Sequence, residues 1–246
     1  MARPHPDKMT FLEHLEELRQ RLVRALVYLA VATGVCWFFH EQIFAIVISP
    51  LRNAGFKDRL IFTAVHEAFM FNMELAFFVG IFVASPFILW EIWGFIAPGL
   101  YRNEKAWAVP FIGMGSVFFI AGGAFGHYVL IPKAIGFLYT FGGPDTVFMP
   151  RMGEYWNFYS WFLLGIGLVF QIPVIIFVLA RLGLVTPLLL LRFWKFAVLG
   201  SFVVSAFITP TPDVVNQTAL ALPMIGLYLL GVLIAWAFGK KRRNEE

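Results

Sequence analysis

Two short segments carry residues whose types and spacing suit one chemistry, the capture of a planar cation. The first is Phe11-Leu12-Glu13-His14-Leu15-Glu16-Glu17-Leu18-Arg19-Gln20-Arg21-Leu22; the second is Trp93-Gly94-Phe95-Ile96-Ala97-Pro98-Gly99-Leu100-Tyr101-Arg102-Asn103-Glu104. A carboxylate partly withdrawn from water is matched by a guanidinium, which is flat and forms two parallel hydrogen bonds to it. Two such groups, Glu17 and Glu104, suit two adjacent arginines, and lysine is a poor substitute. Each segment also has a plainer reading. Thr10 and Glu13 form a capping box at a helix start. Leu15, Leu18 and Leu22 then share one face of an amphipathic helix lying on the membrane, with Glu13, Glu17, Arg21 and Arg24 on another. On that reading Glu17–Arg21 is an ordinary i,i+4 pair worth roughly 0.2–0.5 kcal/mol. Glu104, following Pro98-Gly99, is equally a carboxylate at a helix start, favourable by about 0.3–1 kcal/mol.

The elements that position these groups follow from composition. The chain has 246 residues, 60% of them hydrophobic and 14% charged, with a mean hydropathy of +0.77. A soluble domain carries about 25% charged residues. The deficit is concentrated in runs 75–90, 111–125, 158–169 and 219–238, which contain no Lys, Arg, Asp or Glu. A hydrocarbon core of about 30 Å takes about 20 apolar helical residues, so a soluble fold is excluded. The sequence predicts an all-α polytopic membrane protein, one integral membrane domain over 1–246. It has an amphipathic cytoplasmic leader at 9–21, spans near 22–39, 68–96, 106–131, 158–182, 193–208 and 215–238, and a basic tail at 239–246. Trp37, Trp90, Trp93, Trp107, Trp156, Trp161, Trp194 and Trp236 fall near the ends of these spans, as an interfacial belt does.

Lys and Arg set the orientation. With the N-terminus inside, 14 lie on the cytoplasmic side and five (Arg52, Lys57, Arg59, Lys133, Arg151) outside, which the positive-inside rule favours. Two basic ends on one side require an even number of spans. The leader is long, contains Glu13, Glu16 and Glu17, and precedes no small-x-small cleavage pattern, so the first run reads as a retained helix. The basic residues are scattered along membrane flanks and do not point to nucleic acid. Cys36 has no disulfide partner and reads as a small buried hydrophobe.

Prolines interrupt two spans, at Pro86 and Pro173, and are tolerated where neighbouring groups satisfy the freed carbonyl. Gly165, Gly167 and Pro173 predict a bend in the fourth span. The fifth is short: 13 residues separate Lys195 from Thr209-Pro210, or about 20 Å of helix. The outer segments 40–67 and 132–157 are long enough for a structured periplasmic cap.

The string His14-Leu15-x-Glu17-Leu18-Arg19 followed by Leu22, and Phe95-x-x-Pro98-x-Leu100-x-x-x-Glu104, resemble the N-terminal and first-cytoplasmic-loop motifs of the TatC family. Ser49-Pro50-Leu51, Pro173, and Thr209-Pro210-x-Pro212-Asp213-x-x-x-Gln217 followed by Pro223 match it in order and spacing, so that the similarity runs from about 9 to 238. The resemblance implies a concave, glove-like cup of six helices in the bacterial inner membrane with both termini cytoplasmic. It implies a signal-peptide receptor of the twin-arginine translocase, with Glu17 and Glu104 binding the two arginines. His14, Leu15, Arg19, Phe95, Pro98, Leu100 and Tyr101 would shape that surface, with Arg19 alternatively paired to Glu16 or a lipid phosphate. Implied partners are TatA- and TatB-type single-span proteins, signal peptides of folded precursors, membrane lipid and further copies of the chain; the energy source is the proton-motive force.

One position departs from a frequent pattern of that family, which carries Glu within the fourth span where this chain has Gln171. A buried charge there implies function, whereas Gln serves as an interhelical hydrogen-bonder. Glu74 and Glu91 read as anchors at opposite ends of the second span, His66 and His127 as lone histidines at membrane edges, and Asp213 as a cap for the sixth helix. No Walker A loop, metal-ligand cluster or nucleophile–base pair is present, so neither a cofactor nor catalysis is expected. A small secondary transporter is the alternative, favoured by Gly- and Pro-interrupted spans and opposed by the missing inverted repeat.

Overall fold

The computed structural model describes residues 11–54, 56, 60–96, 108–140, 148–209 and 213–239. Ten α-helices account for the regular structure among them. α1 (Phe11–Phe38) is one uninterrupted helix of 28 residues. The leader is therefore not a separate element on the membrane surface. With no proline and no glycine before Gly34, nothing in it breaks the backbone ladder, and its length of about 42 Å exceeds a hydrocarbon core of about 30 Å. Thr10, the expected cap, lies outside the described residues.

The segment after α1 contains α2 (His40–Asn53), which buries Val47, Pro50 and Leu51. α3 (Glu67–Ile96) runs through Pro86. That proline frees the carbonyl of Phe82, and Ser85 Oγ donates to it at 2.7 Å. The third expected span, ending near 131, continues to 140. It is built of α4 (Ala108–Phe125), a π turn at Gly126–Leu130 and α5 (Ile131–Thr140). The widened turn falls just before Pro132, whose ring would otherwise meet the carbonyl four residues back.

The fourth span starts earlier than 158, with α6 (Met152–Val169), and resumes as α7 (Ile172–Arg181). The break falls at Phe170–Gln171, ahead of the buried Pro173, where the bend was expected. A short α8 (Pro187–Arg192) is capped by Thr186, whose hydroxyl accepts from Leu189 N at 3.2 Å. α9 (Trp194–Ile208) has 15 residues, about 22 Å of helix. Asp213 caps α10 (Val214–Phe238), accepting from Asn216 N at 2.7 Å. Five helical stretches of 25 to 32 residues are long and apolar enough to cross a membrane, and α9 is a shorter apolar helix.

α6 is the centre of the core. Trp156 packs edge-on against Phe71 and Phe78 of α3, with centroids 5.3 and 5.4 Å away, and Ile166 is fully enclosed. Leu220, Met224 and Leu227 of α10 belong to the same cluster. A second cluster joins Trp93, Phe111, Val174 and Phe177. His14 stacks on Phe95, Trp93 lies 4.9 Å from Phe111, and Arg181 Nη1 donates to Phe238 O. Thus the start of α1, the end of α3, the start of α4 and the ends of α7 and α10 gather at one face.

A polar chain ties the opposite side together. His127, in the π turn, lies 3.3 Å from Ser49 Oγ through Nε2 and 2.8 Å from the Tyr159 hydroxyl through Nδ1, while Tyr155 donates to Val47 O at 2.6 Å. His127 is therefore not a lone edge histidine; it joins α2 to α6. Ile61 pairs with Arg151, and Glu67 accepts from Thr63 N at 2.7 Å and Gly153 N at 3.0 Å, closing a cap on that side.

Hydrogen bonds between membrane helices are worth about 0.6–2 kcal/mol each. His127→Ala and Tyr159→Phe should each lower thermal stability in detergent by about that amount. Because they remove the same bond, the double variant should lose clearly less than the sum of the two.

Candidate functional site

α1 presents one polar stripe and turns it inward. His14, Glu17, Arg21, Ala25 and Leu29 recur at spacings of three and four and are half-buried, and Ala32 and Cys36 continue the line as buried residues, all toward α3. Leu12, Leu15, Leu18 and Leu22 face outward, Leu12 with 76% of its surface exposed. In lipid this is the stable arrangement, since apolar side chains meet acyl chains and charges find partners inside.

The partners are on the last turns of α3. Arg21 donates to Glu17 Oε1 twice, from Nη2 at 2.6 Å and from Nε at 3.0 Å, and Nη1 reaches Glu91 Oε2 at 3.4 Å. Arg24 Nη2 lies 3.4 Å from the same Glu91 oxygen. The Glu91 side chain is only 5% exposed, so two guanidinium groups offset one deeply buried carboxylate. Gly94 allows the approach: a Cβ there would collide with the Arg21 guanidinium. One turn from Glu91, Phe95 stacks on His14 with centroids 4.4 Å apart and planes at 16°.

Glu17 is held only by half. Oε1 takes both bonds from Arg21, whereas Oε2 is buried and, among the described residues, without a hydrogen-bond partner; His14 Nδ1 stands 3.9 Å from it. A buried carboxylate oxygen without a donor is costly and is relieved by a new cation or N–H group. The arrangement therefore favours a guanidinium or other donor arriving beside Phe95.

Of the residues named for this surface from sequence, the structure brings His14, Glu17 and Phe95 together. Leu15 faces outward, and Arg19 lies exposed 3.7 Å from Glu16. Pro98, Leu100, Tyr101 and Glu104 lie outside the described residues, as does Pro210. Gln171 is elsewhere: its Nε2 donates to Gly115 O on α4 at 2.9 Å, as an interhelical hydrogen-bonder does. Pro50 and Pro173 are buried. Gln217 receives the Ser205 hydroxyl on its main-chain oxygen at 2.7 Å, which joins α9 to α10 near Asp213. From sequence Glu91 reads only as an anchor, and Arg21 and Arg24 only as part of the leader's charged face. The signal for linking them was present: Glu91 lies one helical turn before Phe95, and an acidic residue at membrane depth needs a cationic partner.

Comparison with known proteins agrees with this architecture. The family profile described as Sec-independent protein translocase protein (TatC) matches residues 13–223. The Sec-independent protein translocase protein TatC of Koribacter versatilis is 39% identical over 241 residues, covering 96% of this chain and 89% of that protein. That of Helicobacter pylori is 40% identical over 233 residues, covering 95% and 91%. A crystal structure of the twin arginine translocase receptor TatC superposes with a TM-score of 0.75 at 29% identity, covering 91% of this chain and 98% of the other. The chain belongs to the TatC family and is a membrane-embedded component of the Sec-independent protein translocase, not an enzyme.

Proposed function

We propose that this chain is the signal-peptide receptor and core subunit of the twin-arginine translocase, binding the arginine pair of folded precursors through Glu17 and Glu104. The observation that carries the reading is the half-used Glu17 carboxylate, whose buried Oε2 has no hydrogen-bond partner among the described residues, beside the His14–Phe95 stack. A guanidinium arriving there gains two charge-assisted bonds, and the aromatic pair offers it a flat apolar neighbour. Glu104 completes the pair of carboxylates, and Pro98, Leu100 and Tyr101 shape the rim. The crystal structure matched above carries the description of a twin arginine translocase receptor, which supports transferring the role.

In this reading the protein crosses the bacterial inner membrane six times, with α9 as the short fifth span and both termini in the cytoplasm. The excess of Lys and Arg on that side supports the orientation, as does the gathering of the start of α1 and the ends of α3, α7 and α10 at one face. The receptor organises TatA- and TatB-type single-span partners, assembles with further copies, and draws on the proton-motive force.

The test is photocrosslinking of a signal peptide to the purified protein, with probes placed beside Glu17 and Glu104. Arg-Arg peptide should label these positions and Lys-Lys peptide should not; equal labelling by both would leave only hydrophobic association. Glu17→Ala or Glu104→Ala should weaken binding by roughly ten- to a hundredfold, the worth of a charged hydrogen-bonded contact of about 1.5–3 kcal/mol. Unchanged abundance in the membrane would separate that loss from misfolding.

A further inference from the structure

Arg24 stands at the head of a cleft between α1, α3 and α4. Its Nη2 meets Glu91 Oε2 at 3.4 Å, and one helical turn deeper on both helices the Tyr28 and Phe87 rings lie 5.5 Å apart. The two contacts follow the seam between α1 and α3, the charged one toward the end where α1 begins. Beside the aromatic pair lies a cleft of about 360 Å³, lined by Tyr28, Pro86, Phe87, Trp90 and Ile112. We propose that this is a binding site for an anionic phospholipid, with an acyl chain in the cleft and the headgroup phosphate on Arg24. The site is independent of where the signal peptide binds.

Three observations select that occupant. First, the cleft opens outward rather than into the core: Phe87 and Trp90 keep 56% and 57% of their surface exposed, which in a membrane is surface offered to lipid. Tyr28 and Trp90 each combine an apolar ring with one hydrogen-bond donor, the type of side chain that gathers at the headgroup boundary. Second, Arg24 is a cation that can be spared. Arg21 Nη1 also reaches Glu91, at 3.4 Å, so Arg24 can turn to a phosphate without stripping that carboxylate of its partner. Half of the Arg24 side chain is already open. Long basic side chains at a membrane edge reach outward to the headgroups, and basic pockets between helices take anionic ones. Third, the sign of the charge separates a lipid from a peptide. Arg24 is the exposed charge at the mouth, and Glu91 is buried beneath it. A segment rich in arginine is repelled there, whereas a phosphate meets a guanidinium with two parallel N–H groups. Phosphatidylethanolamine brings an ammonium along with its phosphate, so phosphatidylglycerol is the better match.

Full-length protein in detergent should be titrated with phosphatidylglycerol and phosphatidylethanolamine of equal chain length, with bound lipid counted by native mass spectrometry. Wild type is expected to hold one phosphatidylglycerol several-fold more tightly than phosphatidylethanolamine. Arg24→Gln should weaken phosphatidylglycerol by about fivefold and phosphatidylethanolamine less, and Arg24→Lys should keep most of the binding. Ile112→Trp, which fills the cleft, should weaken both lipids; Ile112→Phe replaces it if thermal unfolding shows that the larger ring is not accommodated. Arg192→Gln, at the end of α8, should change neither lipid, which separates the site from general surface charge. Equal phosphatidylglycerol binding by wild type and folded Arg24→Gln overturns the proposal and leaves only annular lipid. So does binding that survives in a folded cleft-filling variant. If such a variant weakens a twin-arginine peptide but not the lipid, the cleft belongs to the peptide's apolar segment instead.

Discussion

A lipid interior offers no water to a polar group, so every donor, acceptor and charge at depth must find its partner within the protein. Several serine and threonine side chains answer that demand in the same way, by returning to a main-chain carbonyl of their own helix. Ser85 donates to Phe82, Ser116 to Ile112, Ser201 to Ala197, and Thr209 to Ser205, each at 2.7 Å. Longer links join different helices: Ser205 to the Gln217 carbonyl, Gln171 to Gly115, and His127 to Tyr159 and Ser49. These bonds, with the aromatic core around α6, hold interrupted helices in register where hydrophobic burial alone supplies little force.

The same demand shapes α1. Leu12, Leu15, Leu18 and Leu22 turn outward while Glu17 and Arg21 turn inward, the reverse of a helix on a soluble core. The pairing with α3 rests on close backbone approach and on charge. Close approach is visible at Gly80, where an added Cβ would stand 2.8 Å from Thr33 Oγ1, and at Gly94 beside Arg21. Charge is visible at Glu91, where removing one partner of a buried ionic group typically costs about 3–5 kcal/mol. Glu91, which fastens α1 to α3, and Glu17, with its half-satisfied carboxylate, are therefore neighbours in a single network joined by Arg21.

The cap on the opposite side is built differently. α2 sits on the core through Val47 and Leu51, and the segments around 61–67 and 151–153 are joined by main-chain contacts to each other and to Glu67. Among the described residues, the long helical stretches are widened just ahead of Pro132 and broken just ahead of Pro173.

The membrane class, the helical runs, the break ahead of Pro173, the short α9 and the cap by Asp213 were legible from the chain alone, because hydropathy, proline and capping act through neighbours in sequence. The motif also named Glu17, His14 and Phe95, which the structure brings together. Tertiary structure alone decided the rest. It made the leader continuous with the first span, extended the third helix past Pro132, and brought Glu91 under Arg21 across 70 positions. It also joined His127 to Tyr159. An i,i+4 pair and a lone acidic residue look ordinary in one dimension. Whether the pair faces water or another helix's buried carboxylate depends on which side of α1 packs, and that is set by contacts between residues far apart in the chain.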